Sequence, residues 1–168
     1  LKVTHRPLTI KTGSAEKVYD GTPLTKDGYE ITSGTLAPNQ TYVITVTGTI
    51  TEVGSTLNGF DIIISDAEGN DTTENYDISN EEVGILTINP VELFYSTGSA
   101  EKVYDGTELT NSELTYISGQ LLPNHEIIIY TIGTITDAGS IINEVYYEIY
   151  DINTKEDQTS HYKINIDY

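Results

Sequence analysis

The sequence predicts an all-β chain made of two tandem small β-sandwich modules. Three observations carry that prediction. The stretch Thr12-Gly13-Ser14-Ala15-Glu16-Lys17-Val18-Tyr19-Asp20-Gly21-Thr22 returns letter for letter as Thr97-Gly98-Ser99-Ala100-Glu101-Lys102-Val103-Tyr104-Asp105-Gly106-Thr107, about 85 residues on, and a fixed period of this kind decides architecture before local signals do. Short runs rich in β-branched and aromatic residues are broken by Gly, Pro, Asn and Asp turn signals roughly every 8–12 residues. No window sustains a helical period, because Gly, Thr and Asn interrupt every candidate.

Taken in order, residues 1–7 read as the tail of a preceding copy. Leu1-Lys2-Val3-Thr4-His5-Arg6-Pro7 parallels Ile85-Leu86-Thr87-Ile88-Asn89-Pro90, each a short apolar strand ending in Pro. Residues 8–90 form one whole unit. Leu8-Thr9-Ile10 alternates, and Lys17-Val18-Tyr19 runs into the turn dipeptide Asp20-Gly21. Tyr29-Glu30-Ile31-Thr32 is followed by a turn at Ser33-Gly34, and Pro38-Asn39 makes another. Tyr42-Val43-Ile44-Thr45-Val46-Thr47 has strand composition. Gly48 marks a bulge or bend, Thr49-Ile50-Thr51 continues, and Gly54 breaks the run. Phe60-Asp61-Ile62-Ile63-Ile64 resumes it, Asp66 to Asp71 is a polar loop, and Tyr76-Asp77-Ile78 and Ile85-Leu86-Thr87-Ile88 close the unit.

Residues 91–168 are the second unit. It ends at Asn165-Ile166-Asp167-Tyr168 without a counterpart of Val83-Gly84-Ile85-Leu86-Thr87-Ile88, so the chain reads as an interior slice of something longer. The expectation is an exposed edge or gap in this unit, unless a neighbouring chain or the tail of another copy fills it. Between the units lie only Asn89 and Pro90. Pro fixes its own φ and biases the residue before it to an extended shape, so the units are expected to stack end to end as a stiff rod.

Composition excludes several function classes. The formal charge is -18, from 26 acidic and 8 basic residues, which opposes binding to nucleic acid or an anionic lipid surface. There is no Cys, Met or Trp, which removes disulfides, thiolate metal sites and thiol nucleophiles, and with them the most oxidisable side chains. Ile62-Ile63-Ile64 and Ile127-Ile128-Ile129-Tyr130 are far too short to span a bilayer, so no membrane insertion is expected.

At Lys17-Val18-Tyr19-Asp20-Gly21-Thr22 the unit resembles the YDG/MBG-type repeats of large bacterial surface proteins and adhesins. Ser33-Gly34 with Leu36 and Pro38-Asn39 looks like that family's turn between strands, and Gly48-Thr49 and Val53-Gly54 resemble its central segment. Asn75-Tyr76-Asp77-Ile78 looks like its late segment, with Glu74 where Gly is usual, and Gly84-Ile85-Leu86-Thr87-Ile88-Asn89-Pro90 resembles its closing strand and linker. The second unit departs at Ser160-His161-Tyr162. The resemblance covers essentially the whole chain. It implies tandem β-rich modules of a secreted or cell-wall-attached protein that serve as spacers or adhesive stalks, with no catalytic residues. Each module is expected to be an Ig-like β-sandwich, with a β-grasp-like small β module as the alternative.

Four sets of residues are candidates for chemistry. His5, His125 and His161 could supply a base, but none has a histidine counterpart in the other unit. Asp66, Glu68, Asn70 and Asp71 offer oxygen ligands suited to calcium, set against the reading as a solvated acidic turn. The matching loop holds Asp151, Asn153, Glu156 and Asp157, together with Lys155, which opposes a cation. Lys17 and Lys102 could form an isopeptide bond if a buried carboxyl lay beside them, and otherwise flank the turn with their stems along the surface. Tyr146, Tyr147 and Tyr150 could stack on sugars, although alternation splits Tyr147 from the other two and half-buried strand tyrosines are the commoner case.

These readings converge on a non-catalytic structural spacer or stalk repeat of a bacterial surface adhesin or extracellular filament. The expected partners are adjacent repeats, a host glycan or protein, or another chain through an unpaired strand edge. A glycan- or host-protein-binding adhesive module is the alternative.

Overall fold

The structure, a computed structural model, describes residues 1–79 and 82–168. Its regular structure is strand, apart from two 3-10 turns at Thr73–Asn75 and Thr159–His161. Among the described residues no helix is long and apolar enough to cross a membrane. The chain divides into two compact units, Leu1–Asn89 and Pro90–Tyr168.

In the first unit, β1 (Arg6–Thr12) is the middle of a three-stranded sheet. It runs antiparallel to β3 (Tyr29–Gly34) and parallel to β7 (Tyr76–Ser79). Its alternation is what places it there: Leu8, Ile10 and Thr12 are buried while Arg6, Pro7 and Lys11 are exposed. The pair β4 (Thr41–Val46) and β6 (Phe60–Ser65) is antiparallel. Leu8, Ile10, Ile64 and Tyr76 form the core between these elements, with Ile31, Leu36, Ile44, Phe60, Ile62 and Ile78 packed against it. A second three-stranded sheet has β8 (Ile85–Asn89) at its centre, parallel to β2 (Ala15–Val18) and antiparallel to β5 (Gly54–Leu57). Leu86 and Ile88, alternate residues of β8, are fully buried.

Residues 6 and 7, read from the sequence as the end of a preceding copy, are the first residues of β1 and pair with Tyr76 and Asp77. Thr49-Ile50-Thr51 makes only an isolated bridge, Ile50 to Leu24, rather than a continued strand. Pro38-Asn39 turns as expected, with Asn39 in the left-handed region at φ 60°, and Asn124 repeats it at 66°. Gly34 at φ +88° has no alternative: a Cβ there would lie 2.3 Å from the Pro7 carbonyl oxygen.

The second unit repeats the first sheet. β9 (Val91–Thr97) lies between β11 (Leu114–Ser118, antiparallel) and β15 (Tyr162–Asp167, parallel). β12 (His125–Thr131) pairs antiparallel with β14 (Val145–Asp151), and β10 (Leu109–Thr110) with β13 (Thr134–Ile135). Val91, Leu93, Tyr95, Ile149 and Tyr162 are its buried apolar residues. Ala100–Val103 and Gly139–Ile142, which match β2 and β5 in sequence, are not strands. In the first unit those two strands have β8 as their ladder partner, and among the described residues the second unit has no strand in its place.

Candidate functional site

The duplicated signature builds the same hydrogen-bonded cage in both units. Asp20 sits at a turn whose next residue, Gly21, has φ +77°, and its Oδ1 accepts the Thr22 amide at 2.9 Å and hydroxyl at 2.7 Å. The Lys17 ammonium closes the cage, donating to Asp20 Oδ1 at 2.6 Å, Thr22 O at 2.6 Å and Thr22 Oγ1 at 2.7 Å. Lys102 does the same with Asp105 at 2.9 Å and with Thr107 O and Oγ1, both at 2.6 Å. The hydrogen bond from Lys17, reinforced by those from Thr22, holds the Asp20 carboxyl down at about 2. Asp105 is lowered too, with Lys102 as the leading cause. Condensation to an isopeptide needs a neutral amine and a protonated acid. Here the carboxylate beside each lysine is exposed and held ionised, not buried, so the cage is an ion pair at the surface.

The acidic loop is likewise a turn that consumes its own oxygens. Asp66 accepts the amides of Glu68 and Asn70 at 3.0 and 2.8 Å and the Asn70 side-chain amide at 3.2 and 3.0 Å from its two oxygens. Asp71 Oδ1 accepts the Thr73 hydroxyl at 2.6 Å and its amide at 2.9 Å. These donors lower both carboxyls, the Asn70 side chain leading at Asp66 and the Thr73 hydroxyl at Asp71. In the matching loop Asp151 accepts the amides of Asn153 and Thr154, and Asp157 that of Thr159. Among the described residues no three His, Asp or Glu side chains are placed to hold one metal ion.

The histidines fall at unlike places. His5 is exposed outside any strand. His125 and His161 stand beside a tyrosine post present in both units. The Tyr76 hydroxyl accepts the Ala37 amide at 2.8 Å and donates to Gln40 Oε1. The Tyr162 hydroxyl accepts the Leu122 amide at 3.0 Å and lies 2.7 Å from His125 Nδ1. His125 therefore stands where the first unit has Gln40, and buried His161 where it has Asn75. His161 Nδ1 is 2.8 Å from Gln158 Oε1. Burial lowers the His125 pKa, Asp151 opposes that, and His161 adds to it. The pair completes the tyrosine bracket, His125 against the Tyr162 hydroxyl and His161 against Gln158.

The tyrosine cluster splits across β14 as alternation requires. Tyr146 and Tyr150 share the outer face, and Tyr147 shares the other face with buried Ile149. Tyr146 lies opposite Tyr130, ring centroids 5.2 Å apart, and both rings are exposed. Their neighbours are carboxylates: Tyr150 donates to Glu126 at 2.7 Å and Tyr146 to Glu148 at 3.1 Å, which raises both phenol pKa values. Lys155, whose charge counts against a cation in this loop, sits 5.2 Å over the Tyr150 ring.

Sequence reasoning missed the polar bolt under β8. Asn58, fully buried, donates its side-chain amide to the Gly13 carbonyl at 2.9 Å and the Lys26 carbonyl at 2.8 Å. The Thr12 hydroxyl donates to the Asn58 carbonyl at 2.7 Å and accepts the Gly84 amide at 2.9 Å. The signal was there: Asn58 and Thr12 recur as Asn143 and Thr97, and Asn143 bridges the Gly98 and Asn111 carbonyls at 3.2 and 3.0 Å. No family model, no characterised protein and no solved structure matches this chain.

Proposed function

We propose that the chain is a structural spacer of an extracellular bacterial surface protein or filament, made of two repeats of the YDG/MBG type with an Ig-like sandwich arrangement and stacked as a rod. The observation that carries this reading is the repeated lysine–aspartate–threonine cage. The identity between the copies is concentrated in a device that stiffens a turn, and the carboxylates that could do chemistry are occupied in turns of their own. A lone Pro90 between β8 and β9 supports a stiff junction. The surface charge of -18 supports an exposed, self-repelling stalk. Small-angle X-ray scattering tests the reading: a rod of two modules gives an elongated distance distribution with a long tail, and a compact, near-spherical profile refutes it.

The second reading, an adhesive module for glycan or host protein, is favoured by the exposed Tyr130–Tyr146 pair flanked by Glu148. Flat aromatic faces beside carboxylates suit stacking on a sugar ring and bonding to its hydroxyls. Binding on a glycan array that Tyr146→Ala abolishes would move the assignment to this reading.

A further inference from the structure

The pairing of β12 with β14 sets three residue pairs in rows on the outer face of that ribbon: Tyr130 opposite Tyr146, Ile128 opposite Glu148, and Glu126 opposite Tyr150. The matching rows of the first unit are Thr45–Asp61, Val43–Ile63 and Thr41–Ser65, without an aromatic ring. The face is open in both units: Val43 is 66% and Ile63 53% exposed, against 51% for Tyr130 and 42% for Tyr146. What differs is therefore chemistry, not access. In the second unit each carboxylate accepts one phenol on Oε2, Glu148 from Tyr146 and Glu126 from Tyr150, and their Oε1 atoms accept nothing among the described contacts. No Lys or Arg lies in β12 or β14. Residues 90–168 contain only three Lys and no Arg: Lys102 is paired with Asp105, Lys163 with Glu92, and Lys155 sits 5.2 Å over the Tyr150 ring. One end of the ribbon thus already takes a cation on a tyrosine that is bonded to a carboxylate. The exposed Tyr130–Tyr146 pair beside Glu148 has the same chemistry and no cation among the described contacts.

We propose that this face docks a basic, extended segment of a partner protein, with one arginine guanidinium against the Tyr130–Tyr146 rings and hydrogen-bonded to Glu148. Arginine fits better than lysine, because its planar guanidinium stacks on an aromatic face and presents a fork of donors to a carboxylate. A second basic side chain two positions on reaches Glu126, because alternate side chains of an extended segment and successive rows of the ribbon share a spacing of about 6.7 Å. The net charge of -18 steers such a segment toward the protein. This site rests on the adhesive reading, in its protein-binding branch, and the spacer role does not depend on it.

The test is titration of the intact chain with a labelled Gly-Ser-Arg-Ser-Arg-Ser-Gly peptide, and with the same peptide carrying citrulline, the uncharged isostere, at both arginines. Fluorescence anisotropy and amide NMR read the binding. Saturable 1:1 binding is expected, with shifts confined to β12 and β14. Citrulline weakens it at least about tenfold by removing the charge from each hydrogen bond. Raising salt from about 0.05 to about 0.5 M weakens it as well. Glu148→Gln costs about tenfold through one lost charge-assisted hydrogen bond. Tyr146→Leu costs about two- to fivefold through the lost ring. Glu74→Gln, at an exposed carboxylate of the other unit, removes the same charge and leaves binding unchanged. No saturable binding, equal binding of the citrulline peptide, or an equal loss in Glu74→Gln overturns the proposal. Sugar binding on a glycan array that Tyr146→Leu removes, with no binding of the arginine peptide, also overturns it and leaves the adhesive reading to its sugar branch.

Discussion

At the scale of single residues, His125 and Gln40 are the informative comparison. Both bond the hydroxyl of the tyrosine post, but only His125 titrates. The Tyr162 hydroxyl accepts the Leu122 amide and lies 2.7 Å from His125 Nδ1, a contact whose donor depends on the imidazole tautomer. Burial disfavours the imidazolium cation, so the folded pKa lies below that of the unfolded chain. The unfolded state then binds more protons, so stability rises with pH through this window. The contribution of His125 is complete above about 6.5, the ordinary histidine value, and is lost as pH falls through the lower folded value. Melting temperatures at pH 7.5 and 5.5 should therefore differ more for the native chain than for His125→Gln, which restores the first unit's arrangement. An unchanged pH slope in the variant would show that the post is indifferent to charge.

At the scale of elements, β8 decides which segments of its unit are strands. β2 and β5 are short, exposed on most side chains, and paired through β8 in their sheet. Ile88 is 1% exposed at the centre of that sheet, so Ile88→Ala should cost about 2–5 kcal/mol. The loss should be local: amides of β2 and β5 exchange first, while β1, β3 and β7 keep their protection, because the core of Leu8, Ile10, Ile64 and Tyr76 lies against the other sheet. Uniform loss of protection across the unit would instead make the two sheets one cooperative block. Much at this scale was legible. The Asp-Gly and Pro-Asn turns, the alternation of β1 and the strand character of β4 and β6 follow from local residue types. The parallel pairings of β1 with β7 and β2 with β8 were not legible, since a parallel partner is chosen across a long loop by the shape of the whole unit.

At the scale of the whole chain, the two units differ in how much apolar side chain they bury, and their stabilities should differ with it. The first unit buries Leu86, Ile88 and Tyr19 through β8, and the second leaves Tyr104, Ile141 and Ile142 in water. Calorimetry should show two transitions, the lower one belonging to residues 90–168. Ile149→Val, at a fully buried position of the second unit, should move only that transition, down by roughly 4–8 °C for each kcal/mol lost. A single transition shifted by the same substitution would mean that the units melt together. The sequence by itself determined the strand class, the duplication and the Asp-Gly and Pro-Asn turns, because these rest on residue identity and short-range backbone chemistry. Only the tertiary structure decided that Asn58 and Thr12 bolt the closing strand, that the acidic loop spends its oxygens on its own backbone, and that two segments identical or similar in sequence are strands in one unit and not in the other. A strand is not a property of its own residues: it exists where a partner supplies the other half of its hydrogen bonds.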